Sequence, residues 1–228
     1  MPRCPFTSRT SASEWQPNAR PKDILNQSGG IICLRAGHGD YKDKYFDSWR
    51  SQVANAKLVM VYLFMDTKDG DGRKNADWLI KWVGGKRMPN EVFVADIEPG
   101  GGNWTVSQTR AFHDRVRSQL GGPPVMTYAN ESYAKARASL FTSDTGWVAK
   151  WGQPGKDASR PTVPHIVWQH AADGYGKPRV HWAGCSKQAD ENRVDGYTQA
   201  AFAAKLLGTS TTPQPPPPLP AKSSDCCS

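Results

Sequence analysis

The chain has 228 residues, a length that suits a single domain of about 200 residues. Its 38% hydrophobic content and nine tryptophans indicate a folded core and exclude a disordered chain. The formal net charge of +8 favours a polyanionic partner, with an ordinary basic surface as the alternative. Lysine and arginine are spread without a dense basic run or a nucleic-acid-binding motif, so nucleic acid is the weaker candidate.

The two ends of the chain differ in composition from its middle. Met1–Trp15 is too polar for a secretory signal, and no stretch approaches the roughly 20 apolar residues that span a bilayer. After Leu207 the composition changes abruptly, and Gly208–Pro220 is rich in glycine, threonine, serine and then proline. We therefore expect no signal peptide, no membrane insertion, a folded domain over residues 1–208 and a Pro-rich tail or linker over 209–228.

Short, mostly apolar runs typical of parallel strands buried on both faces recur along the chain. They lie at Ile31–Arg35, Leu58–Phe64, Val92–Asp96, Val125–Tyr128, Trp147–Lys150 and Ile166–Gln169, with a first strand expected near Ser11–Trp15. Helices are predicted between and after them at Asp43–Ala56, Arg73–Val83, Thr105–Leu120, Glu131–Leu140 and Tyr197–Leu207. This alternation predicts an α/β fold, an irregular TIM-like (β/α) barrel with helices missing in the C-terminal part.

One of these helices carries a clear start signal. Thr105 and Gln108 have the spacing of a capping box, in which each side chain bonds the other residue's backbone N–H. Phe112, Val116 and Leu120 then recur every four residues, which places them on one face of the helix.

The segment Val92–Gly102 carries the most chemical information. An apolar strand ends in Asp96 and Glu98, and a proline and three glycines follow. Side chains alternate along a strand, so the two carboxylates project to one side and Ile97 to the other. Active sites of parallel barrels lie at the C-terminal ends of strands. Two neighbouring acids repel, so one of such a pair keeps its proton to higher pH, as glycoside hydrolysis requires. The alternative interpretation is that Asp96 and Glu98 are metal ligands or ordinary surface residues.

Two further patterns fall short of a metal site. Asp66–Gly72 resembles a calcium loop but lacks the terminal glutamate, so we expect a solvated turn. The histidines lack ligand spacing, and the one on the third predicted helix is expected on the helix surface. They are His38, His113, His165, His170 and His181. The five cysteines match neither a metal-ligand pattern nor a disulfide framework. The sequence therefore predicts no metal and no cofactor.

Seven short segments, in order, resemble the lysozyme-like family 25 of the glycoside hydrolases over most of residues 11–203. They are Ile31–Gly37, Val61–Phe64, Asp96–Glu98, Pro124–Tyr133, Trp147–Gly152, Val167–His170 and Val194–Gly196. The resemblance implies a muramidase that cleaves the β-1,4 bond between N-acetylmuramic acid and N-acetylglucosamine in bacterial peptidoglycan. A barrel enzyme acting on another amino-sugar polymer is an alternative.

The resemblance also implies roles for individual residues. Glu98 would be the general acid/base, and Asp96 would orient and stabilise the substrate's 2-acetamido group as it attacks the anomeric carbon. Asp195 would be a supporting carboxylate in the same pocket. The remaining residues would wall the substrate groove, with packing inside the barrel as the alternative for the aromatic ones. They are Tyr62, Phe64, Tyr128, Trp147, Trp168 and Gln169.

Ser11 departs from the family pattern, which has a carboxylate at this position. A hydroxyl cannot supply that charge, so the alternative function is a catalytically weakened or inactive glycan-binding or structural module on the same barrel. The expected lack of a signal peptide, the basic charge and the C-terminal linker favour a phage-encoded protein that acts at the host cell wall. It would be a released lysin or a virion-associated one. Its partner would be bacterial peptidoglycan.

Overall fold

The computed structural model describes residues 3–6, 20–172, 175–176, 190–194 and 196–209, the first of these ranges by its backbone. The strands within these ranges are β1 (Arg3–Phe6), β2 (Ile31–His38), β3 (Tyr41–Lys42), β4 (Leu58–Phe64), β5 (Glu91–Asp96), β6 (Met126–Asn130), β7 (Gly146–Ala149), β8 (Val167–Ala171) and β9 (Asp190–Arg193). The α-helices are α1 (Pro21–Gln27), α2 (Phe46–Gln52), α3 (Gly72–Trp82), α4 (Val106–Leu120), α5 (Glu131–Lys135) and α6 (Gln199–Leu207). Short 3-10 helices lie at Thr67–Asp69, Pro99–Gly101 and Ala138–Leu140.

The strands form one sheet that curls back on itself. Its order is β1-β9-β8-β7-β6-β5-β4-β2-β3, and β1 also pairs with β2, where Phe6 lies beside Cys33. Neighbouring strands from β2 through β4, β5, β6 and β7 to β8 are parallel. Strand β9 runs antiparallel to both β8 and β1. The predicted α/β class with an irregular barrel is confirmed, although an antiparallel strand takes part in closing it.

Alternation along the strands divides the buried residues into an outer and an inner cluster. In β4, Val61 and Leu63 belong to the outer cluster, which lies between the sheet and helices α1 to α5. Met60 and Tyr62 belong to the inner cluster, which fills the curl of the sheet. Because both faces are covered, the strands read as continuous apolar runs in the sequence.

Helix α4 begins where its capping box predicts. Thr105 Oγ1 accepts a hydrogen bond from the backbone N–H of Gln108 at 3.2 Å, and Gln108 Oε1 accepts one from the N–H of Thr105 at 3.0 Å. Phe112 and Val116 are buried against the sheet, and Leu120 is partly buried. The helical periodicity therefore locates the packed face correctly.

Two predicted helices are shorter than expected. The segment predicted as Asp43–Ala56 is helical only over Phe46–Gln52. Asp43 Oδ1 accepts from the backbone N–H of Tyr45 at 3.2 Å and holds a turn before the helix, and residues 53–55 form a turn after it. The segment predicted as Glu131–Leu140 divides into α5 and the 3-10 helix Ala138–Leu140.

The connections near the C-terminus agree in part with the expectation. No helix occurs in residues 150–166, between β7 and β8, as predicted for this half of the barrel. The first strand expected near Ser11–Trp15 and the tail from residue 210 onward lie outside the described residues. In the part of the chain that the structure covers, every helix is too short or too polar to cross a bilayer.

Candidate active site

Asp96 and Glu98 lie where β5 ends, at the C-terminal edge of the parallel strands. Asp96 is the last residue of β5 and is in register with Phe64 of β4 and Tyr128 of β6. The next residue, Ile97, is buried in the outer cluster. Glu98 keeps an extended backbone, with φ −124° and ψ 158°, so alternation returns its side chain to the side of Asp96. Both carboxylates are almost fully buried, at 2% and 3% exposure.

A small pocket opens beside Asp96 on the inner face of the sheet. Its lining includes Tyr62, Asp96, Tyr128 and Trp147, from four adjacent strands. The rings of Tyr128 and Trp147 meet edge to face, with centroids 4.7 Å apart. Three residues that the sequence predicts as groove walls are therefore grouped around one of the two predicted catalytic carboxylates.

Gln169 organises the polar side of this pocket. Its Oε1 accepts hydrogen bonds from Tyr128 Oη and Trp151 Nε1, each at 2.9 Å, and its Nε2 donates to Asp190 Oδ2 at 3.1 Å. Trp147 Nε1 donates to Asn192 Oδ1 at 2.8 Å. Buried polar groups that are bonded in this way are fixed in orientation.

Tyr62 is the neutral hydrogen-bonding group of the pocket. Burial raises the pKa of its phenol well above the usual value near 10, with smaller contributions in the same direction from Cys33, Asp96 and Asp190. The Arg35 guanidinium opposes this rise. The phenol therefore keeps its proton at neutral pH and can donate a hydrogen bond to an oxygen in the pocket.

Arg35 is a buried cation next to this phenol. It is in register with Tyr62, is 7% exposed, and its Nε lies 3.4 Å from Asp43 Oδ2. Sequence reasoning missed Arg35 as a site residue. The available signal is an arginine inside the otherwise apolar run that forms β2.

Phe64 supports the loop that follows the two carboxylates. Its ring packs edge to face with His38, with centroids 4.4 Å apart, and lies against the backbone of Gly100 and Gly101. A methyl group on Gly101 would overlap the carbonyl oxygen of Met65. Gly101 is therefore needed for this loop to approach the residue after β4 closely.

Trp168 lies away from the pocket. It is in register with Val148 of the outer cluster, whereas its neighbours Val167 and Gln169 point inward. Its Nε1 donates to the carbonyl oxygen of Lys150 at 3.0 Å. The prediction that Trp168 lines the same groove as Gln169 conflicts with strand alternation, because adjacent strand residues face opposite sides.

Two residues of the predicted site, Asp195 and Ser11, lie outside the described residues. The convergence of Asp195 with Asp96 and Glu98 stays a prediction. Trp151, Asp190 and Asn192 belong to the inner network although sequence reasoning did not select them.

The calcium-like segment and His113 have structural roles. Asp66 caps the 3-10 helix through Lys68 N, and Asp71 caps α3 through Lys74 N, each at 2.9 Å. His113 is partly buried, with Nε2 at 3.2 Å from Thr127 Oγ1, so the expected surface position is wrong. A search of the described ranges finds no group of three His, Cys, Asp or Glu side chains placed to hold a metal ion.

Two carboxylates at a strand end of a curled parallel sheet are an arrangement suited to a glycoside hydrolase. The sequence family agrees with this class. The model described as Glycosyl hydrolases family 25 matches residues 11–177, more than half of the chain, and the chain belongs to that family. No curated protein sequence matches the chain.

Solved structures share the fold at low sequence identity. A bacterial lysozyme from Streptomyces coelicolor is 22% identical, with a TM-score of 0.66, over 91% of this chain and 98% of that one. The catalytic domain of an endolysin from bacteriophage P40 of Listeria monocytogenes is 21% identical, with a TM-score of 0.64, over the same shares. A family GH25 lysozyme from Aspergillus fumigatus is 14% identical, with a TM-score of 0.59, over 90% and 99%.

Proposed function

We propose that the protein is a lysozyme-like N-acetylmuramidase that hydrolyses the β-1,4 bond between N-acetylmuramic acid and N-acetylglucosamine in bacterial peptidoglycan. The observation that carries this proposal is that Asp96 ends β5 in the pocket lined by Tyr62 and Tyr128, with the nearly fully buried Glu98 two residues later. Two of the similar structures are described as lysozymes and one as an endolysin. The net charge of +8 suits an anionic wall polymer.

The proposed reaction divides the work between the two carboxyl groups. Glu98 donates its proton to the glycosidic oxygen as the bond to the anomeric carbon breaks. The carbonyl oxygen of the substrate's 2-acetamido group forms a bond to that carbon, and the ionised Asp96 stabilises the resulting cationic ring. Glu98 then takes a proton from the water that opens the ring, which restores both carboxyl groups. The neutral phenol of Tyr62 can donate a hydrogen bond to a substrate oxygen.

Ser11 supports a second candidate. The family carries a carboxylate where this chain has Ser11, and the loss of that charge favours a weakened enzyme or a module that binds glycan without cleaving it. As an active enzyme the protein would be a phage lysin, released or carried by the virion, that acts at the host wall. As a module that binds without cleaving, it would be a virion-associated protein. The likeness to a phage endolysin supports this origin.

The decisive experiment is lysis of purified cell walls by the wild-type protein, Glu98→Gln and Glu131→Gln. Glu98→Gln keeps the side-chain shape but cannot transfer the proton, and the expected loss in rate is about 10²–10⁴-fold. Glu131→Gln is the matched control for loss of a glutamate charge. Its amide can keep the hydrogen bond that Glu131 Oε1 accepts from the backbone N–H of Thr162 at 2.8 Å, and it removes the ion pairs to Lys150 and Lys135 at 3.0 and 3.7 Å. Thermal unfolding of each variant shows that the fold is retained.

Product analysis identifies the cleaved bond. Borohydride reduction of the fragments gives muramitol if the new reducing ends are N-acetylmuramic acid, and glucosaminitol if the other bond is cut. Unchanged lysis by folded Glu98→Gln would place the acid elsewhere. Wild-type protein that sediments with walls but releases no reducing ends would favour the binding module.

A further inference from the structure

An exposed aromatic pair lies beyond the inner pocket. The rings of Trp151 and Tyr175 are stacked, with centroids 5.9 Å apart and an interplanar angle of 27°. Trp151 is partly buried against the inner cluster, while Tyr175 is 52% exposed. Among the described residues, Tyr41 is the only other large hydrophobic residue with comparable exposure, also 52%.

The backbone holds this pair in place. Ala172 and Tyr175 exchange backbone hydrogen bonds as an antiparallel bridge, with N···O distances of 3.1 and 2.7 Å. Gly176 N donates to the carbonyl oxygen of Gly152, and Gly155 N donates to that of Gly176, each at 2.9 Å. The loops that follow β7 and β8 are therefore joined, and the ring of Tyr175 faces solvent on a fixed support.

The pair is continuous with the pocket around Asp96. Trp151 Nε1 donates to Gln169 Oε1, which also accepts from Tyr128 Oη. Tyr128 in turn lines the pocket together with Asp96. Tyr175 is therefore the exposed end of a chain of side-chain contacts that leads, through the buried Gln169 and Tyr128, to the pocket.

We propose that Tyr175, supported by Trp151, is a stacking platform for an N-acetylhexosamine ring of the glycan outside the bond that is cleaved. This proposal rests on the proposed function and names a further part of the same site. A pyranose ring has an apolar face of axial C–H groups that suits an aromatic surface. An aromatic side chain with one apolar face and a hydroxyl is suited to a site that is partly wet.

Steady-state kinetics on soluble peptidoglycan fragments test the platform. Tyr175→Ala is expected to raise KM about threefold to tenfold, the range expected for one aromatic contact, with kcat unchanged. Tyr175→Trp should restore the wild-type KM, because it retains the stack. Tyr41→Ala is the matched control, because it removes an equally exposed tyrosine from β3 and should leave KM unchanged.

A binding experiment separates failure of the platform from failure of the proposed function. Calorimetric titration of Glu98→Gln with N-acetylglucosamine tetramer measures affinity without turnover, and adding Tyr175→Ala should weaken it about threefold to tenfold. The platform is overturned if Glu98→Gln binds the tetramer equally well with and without Tyr175→Ala, or if wild type and Tyr175→Ala have equal KM. Either result would stand even if the protein hydrolyses the wall. A change in oligomeric state in Tyr175→Ala, seen by light scattering without a change in glycan affinity, would assign the face to a protein partner and also overturn it.

Discussion

His113 makes the stability of the fold sensitive to acid. It projects from α4 toward the sheet, where its Nε2 lies 3.2 Å from Oγ1 of the buried Thr127 on β6. Burial lowers the pKa of His113 from 6.5 to about 4, with Asp114 opposing this and Arg117 and Arg110 adding to it. The fold therefore accommodates the neutral imidazole and disfavours the imidazolium.

The sign and size of the effect follow from proton linkage. Above pH 7 His113 is neutral in the folded and unfolded chains and contributes no pH dependence. Between pH 6.5 and 4 the unfolded chain holds one more proton, so the free energy of unfolding falls as the pH is lowered. At about 1.4 kcal/mol per pKa unit, the loss reaches roughly 2.5 kcal/mol at pH 4.5. Below pH 4 both states are protonated and the loss levels off.

Urea unfolding at pH 7, 5.5 and 4.5 measures this contribution when wild type is compared with His113→Gln. The glutamine can hydrogen-bond Thr127 but does not titrate, so the variant should lose about 2 kcal/mol less than wild type between pH 7 and 4.5. Carboxylates elsewhere titrate equally in both proteins, so their contributions to the free energy of unfolding cancel in the comparison. The side chains that line the groove around His113 from the segment after α5 are uncharged, namely Ser139, Thr142 and Thr145. Parallel pH profiles for the two proteins would refute the reasoning.

Three substitutions test other parts of the structure. Asn75→Ala removes a fully buried amide that makes four hydrogen bonds to the loop before α3, and urea unfolding should show a loss of about 2–4 kcal/mol. Arg50→Met leaves the buried carboxylate of Glu91 without its ion pair at 2.6 Å, at an expected cost of about 3–5 kcal/mol in the same assay. Gly101→Ala should shift the loop after Asp96 and Glu98 away from Met65 O and lower kcat more than it raises KM; unchanged kinetics would contradict this.

The sequence predicts the parallel strands because each is an apolar run covered on both faces. It does not predict β9, whose residues are Asp190, Glu191, Asn192 and Arg193. The first three are nearly fully buried, and such a run has no hydrophobic pattern. The strand is accommodated because its polar side chains meet partners on β8, its neighbour in the sheet, and on β7, the next strand along. Asp190 accepts from Gln169, and Asn192 accepts from Trp147. These contacts are tertiary, so no local signal in the chain could reveal them.

The same alternation rule bears on two parts of the candidate site. Applied to β5, it predicts that Asp96 and Glu98 lie on one side and Ile97 on the other, and Ile97 is buried in the outer cluster. The groove prediction took both Trp168 and Gln169 from β8, although adjacent strand residues cannot face the same side. The sequence alone leaves open which of the two points inward. In the structure Gln169 points inward, where its Oε1 accepts from Tyr128 Oη and its Nε2 donates to Asp190 of β9. The stacked aromatic pair beside Gln169 comes from two loops, with Trp151 after β7 and Tyr175 after β8. The sequence could not predict this pair, because the two loops meet only when β7 and β8 are paired in the folded sheet.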